Sequence, residues 1–391
     1  MKERYYSLDV FRGATVALMI LVNNPGSWSY IYSPFDHAKW NGCTPTDLVF
    51  PFFLFAVGNA MAFVMPRFEN QPQSRFLAKV IKRSLLIFLI GLFLNWSPFL
   101  MWQDGNLVFK PWEWQRSDGS LHGIRILGVL QRIAIVYFLA SLIVYYFKPR
   151  SVYILTGLIL LIYWWITYLL GTPGDPYSLG GYFGTAVDKA VLGEAHMYHG
   201  EGVAFDPEGI ASSFTPVVQV VIGYFVGHYI ITKGKSYEMI SNLFVAAGLL
   251  MFAGYVWDLG FPINKKIWTS SYVLYTSGLA IFILAILIFA VEFKNLRGAW
   301  SRFFDVFGKN PLFIFVLSGF LPRLLGLIRI ADTRPDGTPG YTSPFGWFYE
   351  HVCKNVADDL RVGSLLYSFF MIAFYWLIVY VMDRKKIYIR V

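Results

Sequence analysis

Charged side chains are scarce in this chain of 391 residues: Asp, Glu, Lys and Arg make up 15% of it, while hydrophobic residues make up 56%. Soluble globular domains carry about 25% charged residues, so the composition excludes an ordinary soluble domain. The hydrophobic residues are gathered into about ten runs of roughly 18 to 24 residues, the length that a helix needs to cross a hydrocarbon core of about 30 Å. The runs lie at residues 8–24, 46–65, 77–95, 123–147, 152–170, 212–231, 237–256, 271–293, 303–321 and 363–382.

The runs also lack the alternation of polar and apolar residues that marks the strands of a membrane β-barrel. No Pro-rich or Ser-rich linker interrupts the chain, so we treat residues 1–391 as one domain. Asn23, Asn24 and Pro25 follow the first run in place of a small-residue cleavage site, which favours a retained span over a signal peptide. We therefore predict an all-α, polytopic membrane helix bundle of about ten transmembrane helices.

Lys and Arg are concentrated in short segments on one side of the predicted spans, such as 67–83, 148–150 and 384–386. Because cytoplasmic loops are enriched in basic residues, we expect both termini in the cytoplasm. The predicted spans make the lipid bilayer an expected partner. The formal net charge of +9 then reflects topology. Nucleic acid is not an expected partner, since the basic residues lie at helix ends and form no continuous surface.

Cysteine is rare: the chain contains only Cys43 and Cys353, both on the predicted outer side. A disulfide between them stays open, and neither belongs to a C-x-x-C pair. The segment 194–201 contains two Glu and two His but no H-E-x-x-H pattern, so no metal is predicted. A G-x-S-x-G elbow, a Walker A lysine and a G-x-G-x-x-G loop are also missing, which leaves the common soluble catalytic classes unsupported.

Polar residues are concentrated at the outer end of the first predicted helical hairpin. Thr44, Pro45 and Asp47 form a helix start, with an N-cap, a proline at the first position and a carboxylate that can accept a backbone N–H. His37 precedes Asp47 by ten residues in a short aromatic loop, which lets it fold back over this helix start. An imidazole there can act as a general base, and Asp47 can orient it while also capping the helix.

Charged residues inside predicted spans are costly and therefore suggest function. Arg132, with Arg125 seven positions earlier on the same predicted helical face, can bind a carboxylate, a phosphate or a carbonyl oxygen. It can equally form a buried pair with an acidic residue such as Asp47. Asp9 and Arg12 have the i, i+3 spacing of a local ion pair, and they also lie where a cytoplasmic phosphate site would form.

Eight short motifs, taken together and in order, resemble the transmembrane acetyltransferase family of heparan-α-glucosaminide N-acetyltransferase, in particular its shorter bacterial members. The similarity covers nearly the whole chain. The motifs are SLDVFRG at 7–13, VN at 22–23, HAKWNG at 37–42, TDLVFP at 46–51, GVLQR at 128–132, VDK with LG and His196 at 187–196, DPEG at 206–209 and PINKKIWT at 262–269.

This resemblance implies an enzyme that moves an acetyl group from cytoplasmic acetyl-CoA to the amine of a glucosamine-type sugar on the outer face, in the bacterial inner membrane. It implies that His37 is catalytic, with Asp47 and Asn23 in the same site. It adds residues that would line the substrate pocket: Trp40, Asn41, Gln131, Arg132, Asp206, Glu208, Asn264, Lys265 and Trp268. We expect the CoA nucleotide at the inner helix ends, where Asp9, Arg12, Lys309 and Asn310 lie.

Several alternatives remain open at the level of sequence. His37 can act as a general base or can carry the acetyl group itself before passing it on. The acceptor can be a hydroxyl group of an envelope polysaccharide instead of an amine. A secondary transporter of a sugar-like solute would also have about ten spans, and it would be expected to contain discontinuous helices and an inverted repeat. A homo-oligomer is compatible with the sequence.

Overall fold

The computed structural model describes residues 5–103, 105–115, 119–333 and 338–389. Within these residues the fold contains thirteen α-helices, joined in places by short 3-10 or π turns. The helices are α1 (Tyr6–Asn23), α2 (Val49–Val64), α3 (Gln73–Trp96), α4 (Val129–Tyr146), α5 (Pro149–Leu170), α6 (Gly184–Leu192), α7 (Thr215–Lys233), α8 (Tyr237–Asp258), α9 (Ser270–Ile288), α10 (Ala299–Lys309), α11 (Pro311–Leu325), α12 (Pro344–Phe348) and α13 (Leu360–Arg384).

Three antiparallel β-hairpins, which the all-α prediction did not include, lie in the connections between helices. They pair β1 (Leu100–Gln103) with β2 (Asn106–Phe109), β3 (Glu113–Gln115) with β4 (Leu121–Gly123), and β5 (Ile330–Thr333) with β6 (Pro339–Thr342). In the first hairpin Leu100 is opposite Phe109, and in the third Ile330 is opposite Thr342. Two-stranded ribbons of this size do not form a core, so the helices carry the fold.

Every predicted run coincides with helical structure, and the chain is a polytopic helical membrane protein. Among the described residues, eight helical segments are long and apolar enough to cross a membrane, or nine if the bent pair α10 and α11 counts as one span. The eight are α1, α4, α5, α8, α13, and the segments Pro45–Phe68, Ala211–Lys233 and Ser270–Phe293, which contain α2, α7 and α9. The α3 helix covers the third predicted run but is not among the eight.

Two of the predicted runs differ in detail from the structure. The run 303–321 is not one straight helix, because α10 and α11 meet at an angle of 78°. Pro311 lacks a backbone N–H and disfavours helical geometry at the residue before it, and Asn310 is indeed non-helical, with φ −130° and ψ 49°. The run 123–147 becomes helical only at Val129, so Arg125 does not share a helical face with Arg132.

Close helix contacts hold the centre of the bundle together. At the crossing of α2 and α7, a Cβ atom on Gly58 would overlap the carbonyl oxygen of Val220, and one on Gly223 would overlap that of Phe55. Small residues at such positions let helix backbones approach each other in a membrane, where van der Waals packing drives association. The α1 helix meets α10 in the same way through Gly13 and Gly308.

The helices differ in how much of their surface the protein covers. The α1 segment and the segments that contain α2 and α7 are mostly buried, whereas most residues of α5, α8 and α13 face outwards, as expected for lipid-facing helices. Both cysteines are free thiols, so the disulfide left open by the sequence is not formed. Cys353 is buried in the apolar cluster around α1 and α13. Cys43 lies before α2, and burial raises the pKa of its thiol to about 12.

Candidate active site

The start of the second membrane segment has the capped form that its sequence predicts. Pro45 opens a 3-10 turn, Pro45–Leu48, that continues into α2. The Asp47 carboxylate accepts the backbone N–H of Thr44 at 3.0 Å and that of Ala38 at 3.0 Å, both through Oδ2. Only 1% of Asp47 is exposed. The cap therefore holds this carboxylate in one position, with Oδ1 left for other partners.

His37 folds back over this helix start, as predicted. Its Nδ1 lies 2.6 Å from Asp47 Oδ1. An ionised carboxylate only accepts hydrogen bonds, so the imidazole carries its proton on Nδ1 and its lone pair on Nε2. Among the described residues no group is bonded to Nε2, and His37 lines an internal cavity. The arrangement suits an imidazole that takes a proton through Nε2 while the carboxylate stabilises the resulting cation.

Lys265 completes this cluster from a distant part of the chain. Its Nζ lies 3.4 Å from Asp47 Oδ1 and 3.2 Å from His37 Nδ1. Since Nδ1 donates to Asp47, the ammonium and the imidazole share the carboxylate as two neighbouring donors. Burial is the main influence on Lys265 and lowers the pKa of its ammonium below the usual value, while Asp47 and Glu208 act in the opposite direction.

A tight turn before α9 presents Lys265. Asn264 organises this turn: its Oδ1 accepts the Ile267 N–H at 3.0 Å, and its own N–H donates to Thr269 Oγ1 at 3.0 Å. Trp268 has a φ of +50°, a left-handed conformation that costs a residue with a Cβ atom roughly 1–2 kcal/mol. Asn264 and Trp268 are both buried, and neither lines the cavity. Their contacts support the position of Lys265.

The cavity that His37 lines has a volume of about 720 Å³, within the range of small-molecule sites. One face of α2 contributes residues along its whole length, from Val49 through Phe53, Ala56 and Ala60 to Val64. At 1.5 Å per residue this stripe is about 22 Å long. The walls come from α1, α2, α3, α4, α10 and α11. The cavity therefore follows most of the thickness of the bundle.

The two ends of the cavity differ in chemistry. Asn23, His37, Glu208 and Lys265 line the end at which α1 finishes and α2 starts. Arg12 and Lys309 line the other end, together with the C-terminal segment at Tyr388 and Ile389. Two of the three predicted catalytic residues, Asn23 and His37, and two of the four predicted nucleotide-binding residues thus line one continuous cavity, and Asp47 is buried behind His37.

The other two predicted nucleotide-binding residues contact the cavity only indirectly. Asp9 pairs with Arg12, Oδ1 to Nη2, at 2.8 Å, which is the local ion pair that the i, i+3 spacing predicted. Asn310 is fully buried and holds the C-terminal segment: its Nδ2 donates to the Ile387 carbonyl at 3.0 Å, and its Oδ1 accepts the Ile389 N–H at 2.8 Å. The bend between α10 and α11 therefore positions the segment that closes this end.

Gln131 and Arg132 are buried behind the cavity wall and do not line it. Gln131 Nε2 donates to the Ile126 carbonyl at 2.9 Å. Arg132 donates to the hydroxyls of Ser212 and Ser213 and to the Gly209 carbonyl, and its guanidinium lies over the Trp268 ring at 5.1 Å. The expected pair between Arg132 and Asp47 is absent from the described contacts. Gln131 thus holds the segment before α4, and Arg132 holds the segment before α7.

Asp206 and Glu208 lie together because both bind Arg125. The Asp206 carboxylate accepts Nε at 3.0 Å and Nη2 at 2.6 Å, and Glu208 accepts Nη2 as well. Burial opposes the charge on Arg125, but the two carboxylates outweigh it and raise the pKa of the guanidinium above its usual range. Asp206 is buried away from the cavity, whereas Glu208 lines it near Lys265.

Trp40 and Asn41 lie beside the site without lining the cavity. Trp40 Nε1 donates to the Tyr177 carbonyl at 2.8 Å, and its ring packs against Phe205. Asn41 Oδ1 accepts Asn264 Nδ2 at 3.1 Å. This bond joins the His37 loop to the turn that presents Lys265.

Three of the four Glu and His side chains in the segment 194–201 have partners outside the cavity. Glu194 pairs with Lys189, His196 bonds Glu113 and the Ile124 carbonyl, and Glu201 pairs with Lys266. Among the described residues no group of three or more His, Cys, Asp or Glu side chains is arranged to hold a metal ion.

One cavity-lining charge was not among the predicted site residues. Arg83 of α3 lines the cavity, but its position within 67–83 assigned it to the basic inner segments. The sequence contained one indication that Arg83 lies at membrane depth: the apolar part of the third predicted run follows it directly. Helical periodicity does not tell which face of that run meets lipid, so the sequence did not distinguish Arg83 from Lys82.

Comparison with known proteins shows where the chain has relatives. The family model for "Heparan-alpha-glucosaminide N-acetyltransferase, catalytic" matches residues 4–183. Heparan-alpha-glucosaminide N-acetyltransferase from Mus musculus is 27% identical over 444 aligned residues, covering 100% of this chain and 61% of that protein. The Homo sapiens protein of the same name is 30% identical over 379 residues, covering 81% of this chain and 53% of that protein. The chain thus spans between half and two thirds of the length of these curated relatives.

Proposed function

Because the chain belongs to the heparan-alpha-glucosaminide N-acetyltransferase family, we propose that it is a transmembrane N-acetyltransferase. The acetyl donor is acetyl-CoA, and the acceptor is the amine of a glucosamine-type sugar or glycan. Donor and acceptor meet inside the cavity that follows α2. This continuous cavity, with His37 at one end and Arg12 and Lys309 at the other, is the observation that carries the proposal.

The proposed topology has ten transmembrane helices, with both termini in the cytoplasm of a bacterial cell and the protein in the inner membrane. Acetyl-CoA is too highly charged to cross lipid, so its thioester must reach the acceptor through protein. The basic end of the cavity then faces the cytoplasm, and His37 faces the outer side. The distribution of Lys and Arg along the chain supports this orientation.

His37 provides the acid–base chemistry in this proposal. Nε2 removes a proton from the acceptor amine as its nitrogen attacks the thioester carbonyl. The N–C bond forms, the C–S bond breaks, and the departing CoA thiolate receives the proton from the imidazole. Asp47 holds Nδ1–H throughout and stabilises the imidazolium that forms. The alternative route, in which Nε2 carries the acetyl group before the amine receives it, uses the same nitrogen.

Two further cavity-lining residues have roles in the proposal. Asn23 can donate a hydrogen bond to the thioester oxygen as negative charge develops there, whereas Asn41 and Arg132 are used in contacts outside the cavity. Glu208 lies beside the cavity near Lys265, where a carboxylate attracts the ammonium form of the incoming amino sugar. The ammonium gives its extra proton to water before the free amine attacks. Both roles follow from position and charge.

The test is acetyl transfer from acetyl-CoA to a panel of amino sugars by the purified full chain in detergent. We expect product with the wild type and a loss of about 10²- to 10⁴-fold in kcat with His37→Ala, the usual contribution of a general acid–base group. His228→Ala is the matched control, because His228 is exposed on α7 and lies outside the cavity. This control should retain wild-type activity.

Other results would contradict the proposal in distinguishable ways. Full activity of His37→Ala would remove the imidazole from the mechanism but leave the enzyme class intact. Consumption of hydroxyl acceptors in place of amines would redirect the proposal to O-acetylation. Accumulation of sugar by sealed vesicles without CoA, together with no acetyl transfer, would identify a transporter.

A further inference from the structure

Most basic groups at the cytoplasmic end of the cavity already have acidic partners. Arg12 pairs with Asp9 at 2.8 Å, and its Nε donates to the Gly308 carbonyl at 2.6 Å. Lys309 pairs with Asp305 at 2.8 Å and with Asp383 at 3.0 Å. These pairs neutralise much of the positive charge that an anionic ligand would meet, so neither residue is the strongest anion site on the cavity.

Arg83 is different, because it lines the cavity without an acidic partner among the described residues. Its Nε is buried and makes no hydrogen bond. The guanidinium lies over the ring of Tyr137 on α4, 4.7 Å from the ring centroid. The same cavity is lined by apolar side chains of α2, among them Ala60 and Val64, and by Ile87, one turn further along α3.

A guanidinium in this position is energetically unfavourable unless an anionic ligand binds it. An arginine at membrane depth is unfavourable, and such residues mark ligand or ion pathways. The contact with Tyr137 offsets only part of this cost, and among the described residues no anion meets the five N–H donors. Since the donors form a rigid fork that matches phosphate oxygens, the missing partner is best supplied by a phosphate group.

We propose that Arg83 binds a phosphate group of the donor nucleotide within the cavity. This inference rests on the proposed function, because it takes the donor to be a CoA thioester. The α3 helix runs from Arg83 past Ile87, one turn later, towards the end of the cavity that His37 lines. With a phosphate bound at Arg83, the pantetheine arm therefore extends along the α2 stripe towards His37. Arg83 thereby sets how far the donor enters.

The test measures binding of CoA itself, without turnover, to the full chain in detergent by calorimetric titration. Arg83→Gln should weaken CoA binding about tenfold or more, the effect expected for loss of a charge-assisted bidentate contact. Arg83→Lys should give an intermediate loss, because the charge remains without the fork. Lys82→Gln is the matched control: the adjacent lysine is exposed and lies outside the cavity lining, so CoA binding should not change.

Pantetheine, which has no phosphate, separates this contact from a general effect on the cavity. Its binding should be the same in wild type and Arg83→Gln, and wild type should bind CoA at least about tenfold more tightly than pantetheine. Equal affinity of the wild type for the two compounds would overturn the inference without any variant. Unchanged CoA binding by Arg83→Gln would overturn it while leaving the proposed function standing, and failure of the wild type to bind CoA would overturn both.

Discussion

At the scale of single residues, the candidate site depends on one carboxylate that has three roles. Asp47 caps the second membrane segment through Thr44, orients His37 and pairs with Lys265. The first two contacts join positions three and ten residues apart and are readable from a helix-start pattern. The third joins residues more than 200 positions apart, and the sequence suggested Lys265 only through its resemblance to a family.

Lys265 is a positioning residue, and its effect should depend on pH. Its ammonium lies 3.4 Å from Asp47 Oδ1 and helps to hold the carboxylate that orients His37. Because burial lowers the pKa of this ammonium, Lys265 loses its charge at a lower pH than an ordinary lysine does. We expect Lys265→Met to change the profile of kcat/KM against pH: the loss should be about tenfold where the ammonium is charged and should shrink as the pH rises and the wild-type lysine becomes neutral.

The control for this prediction is the neighbouring lysine. Lys266 pairs with Glu201 and donates to the Lys39 carbonyl, outside the cavity, so Lys266→Met should leave the profile in place. Lys265→Arg stays charged at high pH and should retain its kcat/KM to a higher pH than the wild type does. A loss of activity in Lys265→Met that is equal at every pH would assign Lys265 a merely structural role.

At the scale of elements, α2 has two different faces. One face lines the cavity from Val49 to Val64, and the opposite face packs against α7 through Gly58. Because the α7 backbone touches α2 at this point, any change there moves the cavity wall itself. The sequence predicted the helix from its length and hydrophobicity, but it did not predict which face meets which neighbour.

Gly58→Ala should destabilise the protein and reduce acetyl transfer together. The added Cβ would overlap the Val220 carbonyl oxygen, and overpacking of this kind costs roughly 1–3 kcal/mol. We expect a lower melting temperature in detergent. Gly157→Ala on α5 is the matched control, because nothing lies within 4 Å of the position of its Cβ. A variant of Gly58 as stable and active as that control would contradict the close packing of α2 and α7.

At the scale of the whole molecule, the proposal requires that the two ends of the cavity face opposite sides of the membrane. The test uses a background with Cys43 and Cys353 replaced by Ala, into which single cysteines are introduced. Ser33 lies on the His37 loop and Lys385 follows α13, and both are exposed. In sealed, right-side-out vesicles a membrane-impermeant thiol reagent should label Ser33→Cys at once and Lys385→Cys only after permeabilisation.

Lys148→Cys, between α4 and α5, provides an independent control. This exposed position should behave like Lys385→Cys, since both belong to the basic segments assigned to the cytoplasm. Labelling of Ser33→Cys and Lys385→Cys from the same side would remove the separation of donor and acceptor on which the proposed reaction depends.

The features that the sequence determined by itself are those with a local physical cause. Lipid requires each span to satisfy its own backbone hydrogen bonds over a set length, so runs of apolar residues predict helices directly. The helix cap at Thr44 and the ion pair of Asp9 with Arg12 are likewise short-range. The break at Pro311 has an equally local cause, but the apolar run through it concealed the bend.

The tertiary structure decided what depends on contacts between distant segments. It united His37 with Lys265, separated Gln131 and Arg132 from the cavity, brought Asp383 to Lys309 and, among the described residues, left Arg83 without an acidic partner. The cavity is the space that six helices leave between them, and small residues elsewhere determine that space by how closely they let helices pack. Hydrophobic periodicity contains no information on the distances between helices, so only the folded chain shows which side chains line the cavity.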